Sequence, residues 1–256
     1  MGRVISFAYG VVSYAIFFAT FLYALGFVGN FIVPKSMDSA PQMPFWPALA
    51  INLGLLGLFA VQHSVMARPA FKKWWTRYVP KPVERSTYVL FSSLAMILMF
   101  WAWQPLGGVI WNVESPAAQI ALYGAFAFGW ALVLVSTFLI NHFDLFGLRQ
   151  VWLHLRGEEY TELQFVTPGP YRYIRHPLYL GWLFAFWATP TMTVTHLLFA
   201  LMTTGYILVA IQLEERDLEN SLGDYASYKQ QVPMLVPGLK KKYTSESEVA
   251  QAEAGA

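Results

Sequence analysis

Arg172, Arg175 and His176 crowd immediately before Pro177 in the stretch TPGPYRYIRHPLYLGW at 167–182. Pro168 and Pro170 favour extended or turn geometry, and Pro177 suits the first position of a helix, where a missing N–H costs nothing. His176 therefore falls at or near a helix N-cap. The free N–H groups and partial positive charge of a helix start, with two arginines beside them, suit a carboxylate or a phosphate. The competing reading is a loop whose arginines meet lipid phosphates. Further on, Glu214 and Glu215 stand side by side, followed by Tyr225 and Tyr228. Neighbouring helical positions diverge by about 100°, so only one of the two carboxylates can face a given pocket. Together these residues could hold a zwitterion: Arg and His against a carboxylate, Glu against an ammonium or ribose hydroxyls, aromatic faces against adenine or a sulfonium. Tyr179 and Gly181 share the helix that Pro177 starts; they read either as packing residues or as a place where a ligand nears the backbone. Tyr225 and Tyr228 read equally as interfacial anchors. A third group, His142, Asp144, Arg149 and Gln150 in NHFDLFGLRQVW, mixes titratable side chains with aromatics and reads as a substrate site or as lipid contact.

The elements that position these groups are apolar. Of 256 residues, 56% are hydrophobic and only 12% charged, against roughly 25% charged in soluble domains. The chain is expected to be an all-α, polytopic integral membrane protein. Apolar runs at 4–33, 45–66, 86–103 and 117–140 are each long enough for a spanning helix. After Pro177 a shorter run ends at Thr189-Pro190-Thr191 and a longer one occupies 193–213, which predicts a C-terminal helical hairpin. The hairpin returns the Glu pair to the face that carries Arg175 and His176. Residues 1–140 then form a helical bundle, 141–243 the region that binds cofactor, and 244–256 a disordered tail after the basic run at 240–242. The segment 68–85 interleaves six basic residues with Trp74, Trp75 and Tyr78, the pattern of an interfacial helix more than of an RNA-binding surface.

Several chemistries are excluded. Without cysteine there is no disulfide, thiolate metal site or cysteine nucleophile. The five histidines (63, 142, 154, 176, 196) do not recur at helical ligand spacing, so no local metal site is expected; His63 reads as a satisfied residue near a helix end. No P-loop, dinucleotide fingerprint or nucleophile elbow occurs. A net charge of +2 without a basic stripe argues against nucleic acid as a partner. Spans nearly free of charge argue against an ion-coupled transporter.

The motif RHPLYLG at 175–181, a hairpin, EERDLENSLG at 214–223, YASY at 225–228 and a following Val-Pro together resemble the isoprenylcysteine carboxyl methyltransferase-like membrane methyltransferases. The resemblance covers about 167–237. The upstream part and NHFDLFGLRQVW look most like the methanethiol S-methyltransferases of that superfamily, which resemble the NnrU-type membrane proteins. The resemblance implies binding of S-adenosylmethionine without a Rossmann domain, by Arg172, Tyr173, Arg175, His176, Pro177, Tyr179, Gly181, Glu214, Glu215, Tyr225 and Tyr228. It also implies a small thiol as acceptor, with His142, Asp144 and Arg149 as catalytic candidates, and lipid as the other partner; no protein partner is required. Methylation of a prenylcysteine carboxylate or a lipid amine, or a non-enzymatic transport or assembly role, are the alternatives. Many relatives carry an arginine shortly before the Glu pair, where this chain has Ala210, Ile211 and Gln212. The cofactor carboxylate then falls to Arg216 or to Arg172, Arg175 and His176.

Of 17 lysines and arginines, only Lys35 lies outside the N-terminus, the 68–85 and 141–176 loops and the region after 213. The positive-inside rule therefore places both termini, both long loops and the site in the cytoplasm. Because the chain lacks cysteine, single cysteines at Ser39 or Ser115 should be labelled by an impermeant reagent from outside the cell, and cysteines at Lys73 or Glu159 should not. The reverse pattern would overturn this orientation.

Overall fold

The structure, a computed structural model, describes residues 2–238. The basic run at 240–242 and the tail at 244–256, read above as an anchor and a disordered end, lie outside the described residues. In chain order the elements are α1 (Arg3–Gly29), α2 (Phe45–Ala67), α3 (Pro69–Trp75), α4 (Lys81–Ala102), β1 (Val109–Asn112), α5 (Pro116–Leu139), α6 (His142–Leu145), α7 (Leu148–Arg156), a 3-10 turn (Gly169–Arg172), α8 (Pro177–Trp187), β2 (Thr191–Thr193), α9 (Val194–Ser221) and α10 (Tyr225–Gln231). Five of them, α1, α2, α4, α5 and α9, are long and apolar enough to cross a membrane. The protein is a helical, polytopic membrane protein.

Local rules account for most boundaries. Prolines occupy the first turn of α3, α4, α5 and α8, where they cost no backbone bond. For α4 this moves the start to Lys81, five residues before the apolar run begins, so Glu84 and Arg85 belong to its first turns. The basic aromatic segment does contain a short helix, α3.

α8 has only 11 residues, about 16 Å of helix against a hydrocarbon core of roughly 30 Å. A short extended segment, β2, follows it. Extended backbone must find hydrogen-bond partners. β2 finds them by pairing antiparallel with β1, Trp111 opposite Met192 and Asn112 opposite Thr191. This ribbon was not read from the sequence, because three or four residues are too few to show alternation. Side chains brace the same end. Asp38 accepts hydrogen bonds from Thr193 and from Asn30, the latter at 2.7 Å, and lies 3.4 Å from His196 Nδ1. The fully buried Asn52 bonds both N–H and C=O of Gln104 beyond the end of α4. Phe27, Phe100, Trp103 and Phe199 pack beneath.

The contact between α5 and α8 depends on two glycines. A Cβ on Gly129 would lie 2.6 Å from Ala185 N, and one on Gly181 would lie 2.8 Å from Gly129 O. Small residues let helix backbones approach this closely in lipid, where dispersion and weak polar contacts replace the hydrophobic effect. The space beside Gly181 is thus filled by α5. α9, with 28 residues, extends about 42 Å, so its last turns, including Glu214 and Glu215, overrun the hydrocarbon at the end where α8 begins.

Gly129→Leu or Gly181→Val should destabilise the protein by about 1–3 kcal/mol or more through overpacking. The measurement is thermal unfolding in detergent. Gly124→Leu, on the same helix with open space beside its Cα, should leave the transition unmoved.

Candidate functional site

Where α8 begins and α9 ends, the chain gathers its charges around one buried carboxylate. Glu215 is 5% exposed. Arg175 Nε donates to Glu215 Oε1 at 2.7 Å and His176 Nε2 lies 2.8 Å from the same oxygen. Lys229 Nζ approaches Glu215 Oε2 at 3.2 Å and bonds Glu219 at 2.8 Å. The bond to Glu219 raises the Lys229 ammonium above its ordinary pKa, with Glu215 adding to it and partial desolvation opposing. Arg175 Nη1 donates further to the carbonyls of Lys229 and Val232. Backbone bonds continue the tie: Arg175 N–H to Pro233 O at 2.9 Å, and His176 N–H to Met234 O at 3.1 Å. His176 holds the N-cap position and Pro177 the first helical one, as the local sequence dictates, but the His176 side chain makes no cap bond and turns to Glu215.

The two adjacent carboxylates do point apart. Glu214 is half-buried and accepts the Tyr179 hydroxyl at 2.9 Å. Glu215 faces the cations. Tyr225 and Tyr228, each 2% exposed, form a cluster with Val232 against Phe165, Leu218 and Leu222, which is interior packing and not interfacial anchoring. Tyr228 donates to Tyr171 O at 2.6 Å. The Tyr225 hydroxyl is buried with no hydrogen-bond partner among the described residues, and burial pushes its phenol pKa up. Tyr173 is exposed, and Arg172 closes the 3-10 turn. Lys229 was not singled out from the sequence; the available signal was its place one turn after Tyr225, on the same face of a short helix.

His142 sits at the start of α6, 3% exposed. Its Nε2 is 2.8 Å from the Tyr14 hydroxyl and its Nδ1 2.8 Å from Thr137 Oγ1. Phe138 stacks on the ring at 4.2 Å. Burial pushes the imidazolium below the ordinary histidine pKa. Asp144 and Arg149 pair at 2.9 Å. Arg149 then reaches Thr161 O and Oγ1, at 2.9 and 2.7 Å, and Tyr160 bonds Asp144 at 3.3 Å. The pair clasps the 158–166 loop over an open cavity of about 620 Å³ lined by Phe138, His142, Phe143, Arg149, Leu163 and Val166 among others. Phe165 of that loop packs on Tyr225 and Tyr228. The loop thus joins the His142 group to the Glu215 group.

Among the described residues, helix ends gather charges into one polar site and no nucleotide-binding sheet is present. Residues 130–220 match the profile of the isoprenylcysteine carboxyl methyltransferase (ICMT) family. The chain is 59% identical over 243 residues to a methanethiol S-methyltransferase of Crocosphaera subtropica, covering 94% of this chain and 95% of the relative. It is 56% identical to a methanethiol S-methyltransferase of Mycobacterium tuberculosis, over 93% of this chain and 98% of the relative, and 56% identical to methanethiol S-methyltransferase 1 of Bradyrhizobium diazoefficiens, over 92% and 83%. The chain belongs to the methanethiol S-methyltransferase family. No solved structure matches it.

Glu215→Ala leaves Arg175 without its counter-ion in a buried site. Removing one partner of a buried pair costs about 3–5 kcal/mol, so a large fall in the thermal transition is expected. Glu214→Gln, at a half-buried position, should unfold normally and lose affinity for S-adenosylhomocysteine, read by calorimetry. Equal stability of the two variants would contradict this division of roles.

Proposed function

We propose that the protein transfers the methyl group of S-adenosylmethionine to methanethiol, producing dimethyl sulfide. The observation that carries this reading is identity near 60% with a methanethiol S-methyltransferase along almost the whole chain, spanning both the Glu215 and the His142 groups. In the same reading four spans and a C-terminal hairpin, α8 with α9, form the membrane part; the bundle at 1–140 supports the binding region at 141–243. Both termini and the site face the cytoplasm.

The side chains suit the methyl donor, whose carboxylate, ammonium, sulfonium, ribose and adenine demand both signs of charge and aromatic surface. Arg175 and His176 act through Glu215: they hold the start of α8 against the end of α9 and so set the walls. Glu214, steadied by Tyr179, offers a carboxylate to an ammonium or to ribose hydroxyls. The unpartnered Tyr225 hydroxyl is a buried polar group that a bound ligand would satisfy. Arg172 and Tyr173 sit at the end of the 3-10 turn that leads into α8. The cavity beside His142 lies in the usual range of small-molecule pockets, roughly 300–1,000 Å³, and is far larger than a one-carbon thiol. His142 and Arg149 line it, the Asp144–Arg149 pair holds its covering loop, and these three remain the catalytic candidates.

The donor, when bound, supplies an electrophilic methyl on a positive sulfur. The acceptor sulfur must lose its proton, because a thiolate is far more nucleophilic than a thiol. Positive potential from the arginines favours the thiolate. An apolar acceptor of this size enters from the bilayer.

Purified protein in detergent, given S-adenosylmethionine and methanethiol, should release dimethyl sulfide to the headspace. The rate should rise with pH through a titration below that of the free thiol, since the site stabilises its thiolate. If S-adenosylhomocysteine raises the thermal transition and yet no dimethyl sulfide forms, the acceptor is another molecule.

A further inference from the structure

A neutral imidazole carries one hydrogen on two nitrogens, and the partner of one nitrogen decides the state of the other. Around His142 the partners leave one solution. Thr137, in the last turn of α5, is 4% exposed, and its Oγ1 lies 2.8 Å from His142 Nδ1. The same hydroxyl donates to Leu134 O at 2.7 Å. A hydroxyl has one hydrogen and a carbonyl can only accept. Two oxygens held this close without a hydrogen between them repel. The Thr137 hydrogen is therefore committed to Leu134, its oxygen can only accept from the ring, and Nδ1 carries the hydrogen. Nε2 is then bare, and the Tyr14 hydroxyl, 2.8 Å away, donates to it. The bonds run in one direction, from Tyr14 through the ring and Thr137 to Leu134 O.

The ring is clamped in this setting. Phe138 stacks face to face at 4.2 Å, Phe146 meets it edge-on at 4.8 Å and Phe143 at 5.5 Å. Tyr14 comes from α1, which packs so closely on α7 that a Cβ on Gly10 would lie 2.5 Å from Val151. Two helices distant in the chain thus meet on one imidazole in the cavity wall. The arrangement also takes up a proton without moving a heavy atom. Nε2–H would then donate to the Tyr14 oxygen while Nδ1–H keeps Thr137, so both N–H groups of an imidazolium are satisfied. Tyr14 is half-buried and Thr137 buried, so the bare nitrogen faces the more open side.

We propose that Thr137 is a positioning residue for methyl transfer: it fixes His142 as the Nδ1–H tautomer and so makes Nε2, beside the Tyr14 hydroxyl, the nitrogen that takes a proton in turnover. This rests on the reading of the protein as a thiol methyltransferase with His142 in its chemistry. Thr137 does not line the cavity and acts through the imidazole. The proton lost by the acceptor thiol ends on Nε2. The sulfur electron pair it leaves forms the new bond to the donor methyl, and the electrons of the old carbon–sulfur bond stay on the departing thioether sulfur. The imidazolium afterwards returns its proton to water. A general base must hold a bare nitrogen, and a histidine in the wrong tautomer loses most of its contribution even with its geometry unchanged.

The test reads the tautomer directly, by nitrogen NMR of protein labelled with nitrogen-15 histidine, in detergent with S-adenosylhomocysteine. The spectra are taken at about pH 8, well above the ordinary histidine range, and burial moves His142 lower still. The His142 signals, identified by their loss in His142→Gln, should show hydrogen on Nδ1 and a bare Nε2. Thr137→Val keeps the shape of the side chain and removes the acceptor, so the hydrogen should move to Nε2, where the Tyr14 oxygen can accept it. Dimethyl sulfide turnover should then fall on the order of 100-fold, with KM for S-adenosylmethionine and the thermal shift by S-adenosylhomocysteine retained. Thr137→Ser should restore both tautomer and turnover. Thr137→Ala takes the place of Thr137→Val if that variant fails to fold. Hydrogen on Nε2 in the wild type overturns the proposal, as does wild-type turnover in a variant whose tautomer has inverted. Turnover lost together with S-adenosylhomocysteine binding is the mark of a structural role and overturns it too. Wild type that binds S-adenosylhomocysteine but yields no dimethyl sulfide overturns the methanethiol reading and the proton step with it, while the tautomer assignment, which needs no acceptor, stands or falls on the spectra.

Discussion

The buried carboxylate of Glu215 is the constraint on which the site end of the molecule depends. A lone carboxylate removed from water is strongly disfavoured, and so is a lone guanidinium. Here each removes the other's penalty: Arg175, His176 and Lys229 converge on Glu215 from the start of α8 and from α10. Arg175 also bonds two carbonyls of the chain that follows, and the backbones of Arg175 and His176 pair with Pro233 and Met234. One ionic centre therefore fixes three things together: where α8 enters the membrane, where α9 leaves it, and how the segment after α10 closes over both.

The opposite end is held by different means. α8 is too short to cross alone, and the extended chain after it pairs its backbone with β1. Asp38, Thr193 and His196 brace that junction, and Asn52 satisfies the backbone of Gln104. Between the two ends the glycine contact of α5 with α8 sets the helix separation. Position along the bundle follows from polar satisfaction at its ends, and distance across it follows from side-chain size.

The consequence for function is a division of labour among neighbouring polar groups. The Glu215 centre is saturated by its own partners and shapes the site. Glu214, Tyr179 and the unpartnered Tyr225 hydroxyl retain capacity for a ligand. Asp144 and Arg149 spend their hydrogen bonds on the covering loop.

What the sequence determined by itself was local. Apolar length identified the long helices, since crossing a membrane is a property of consecutive residues. Pro177 placed the start of α8, since a missing N–H is tolerated only in the first turn. The spacing of Glu214 and Glu215 required them to face apart, since helical rotation is fixed per residue. Which of them turns inward was decided only by the tertiary structure, because it depends on how α9 is rotated against Arg175 and His176, far away in the chain. The same is true of Gly181, which reads as a possible ligand contact until α5 fills the space beside it. The β1–β2 ribbon had no local signal at all. Its backbone bonds exist only between segments that meet after the helices have packed, and no pattern within either segment encodes the partner.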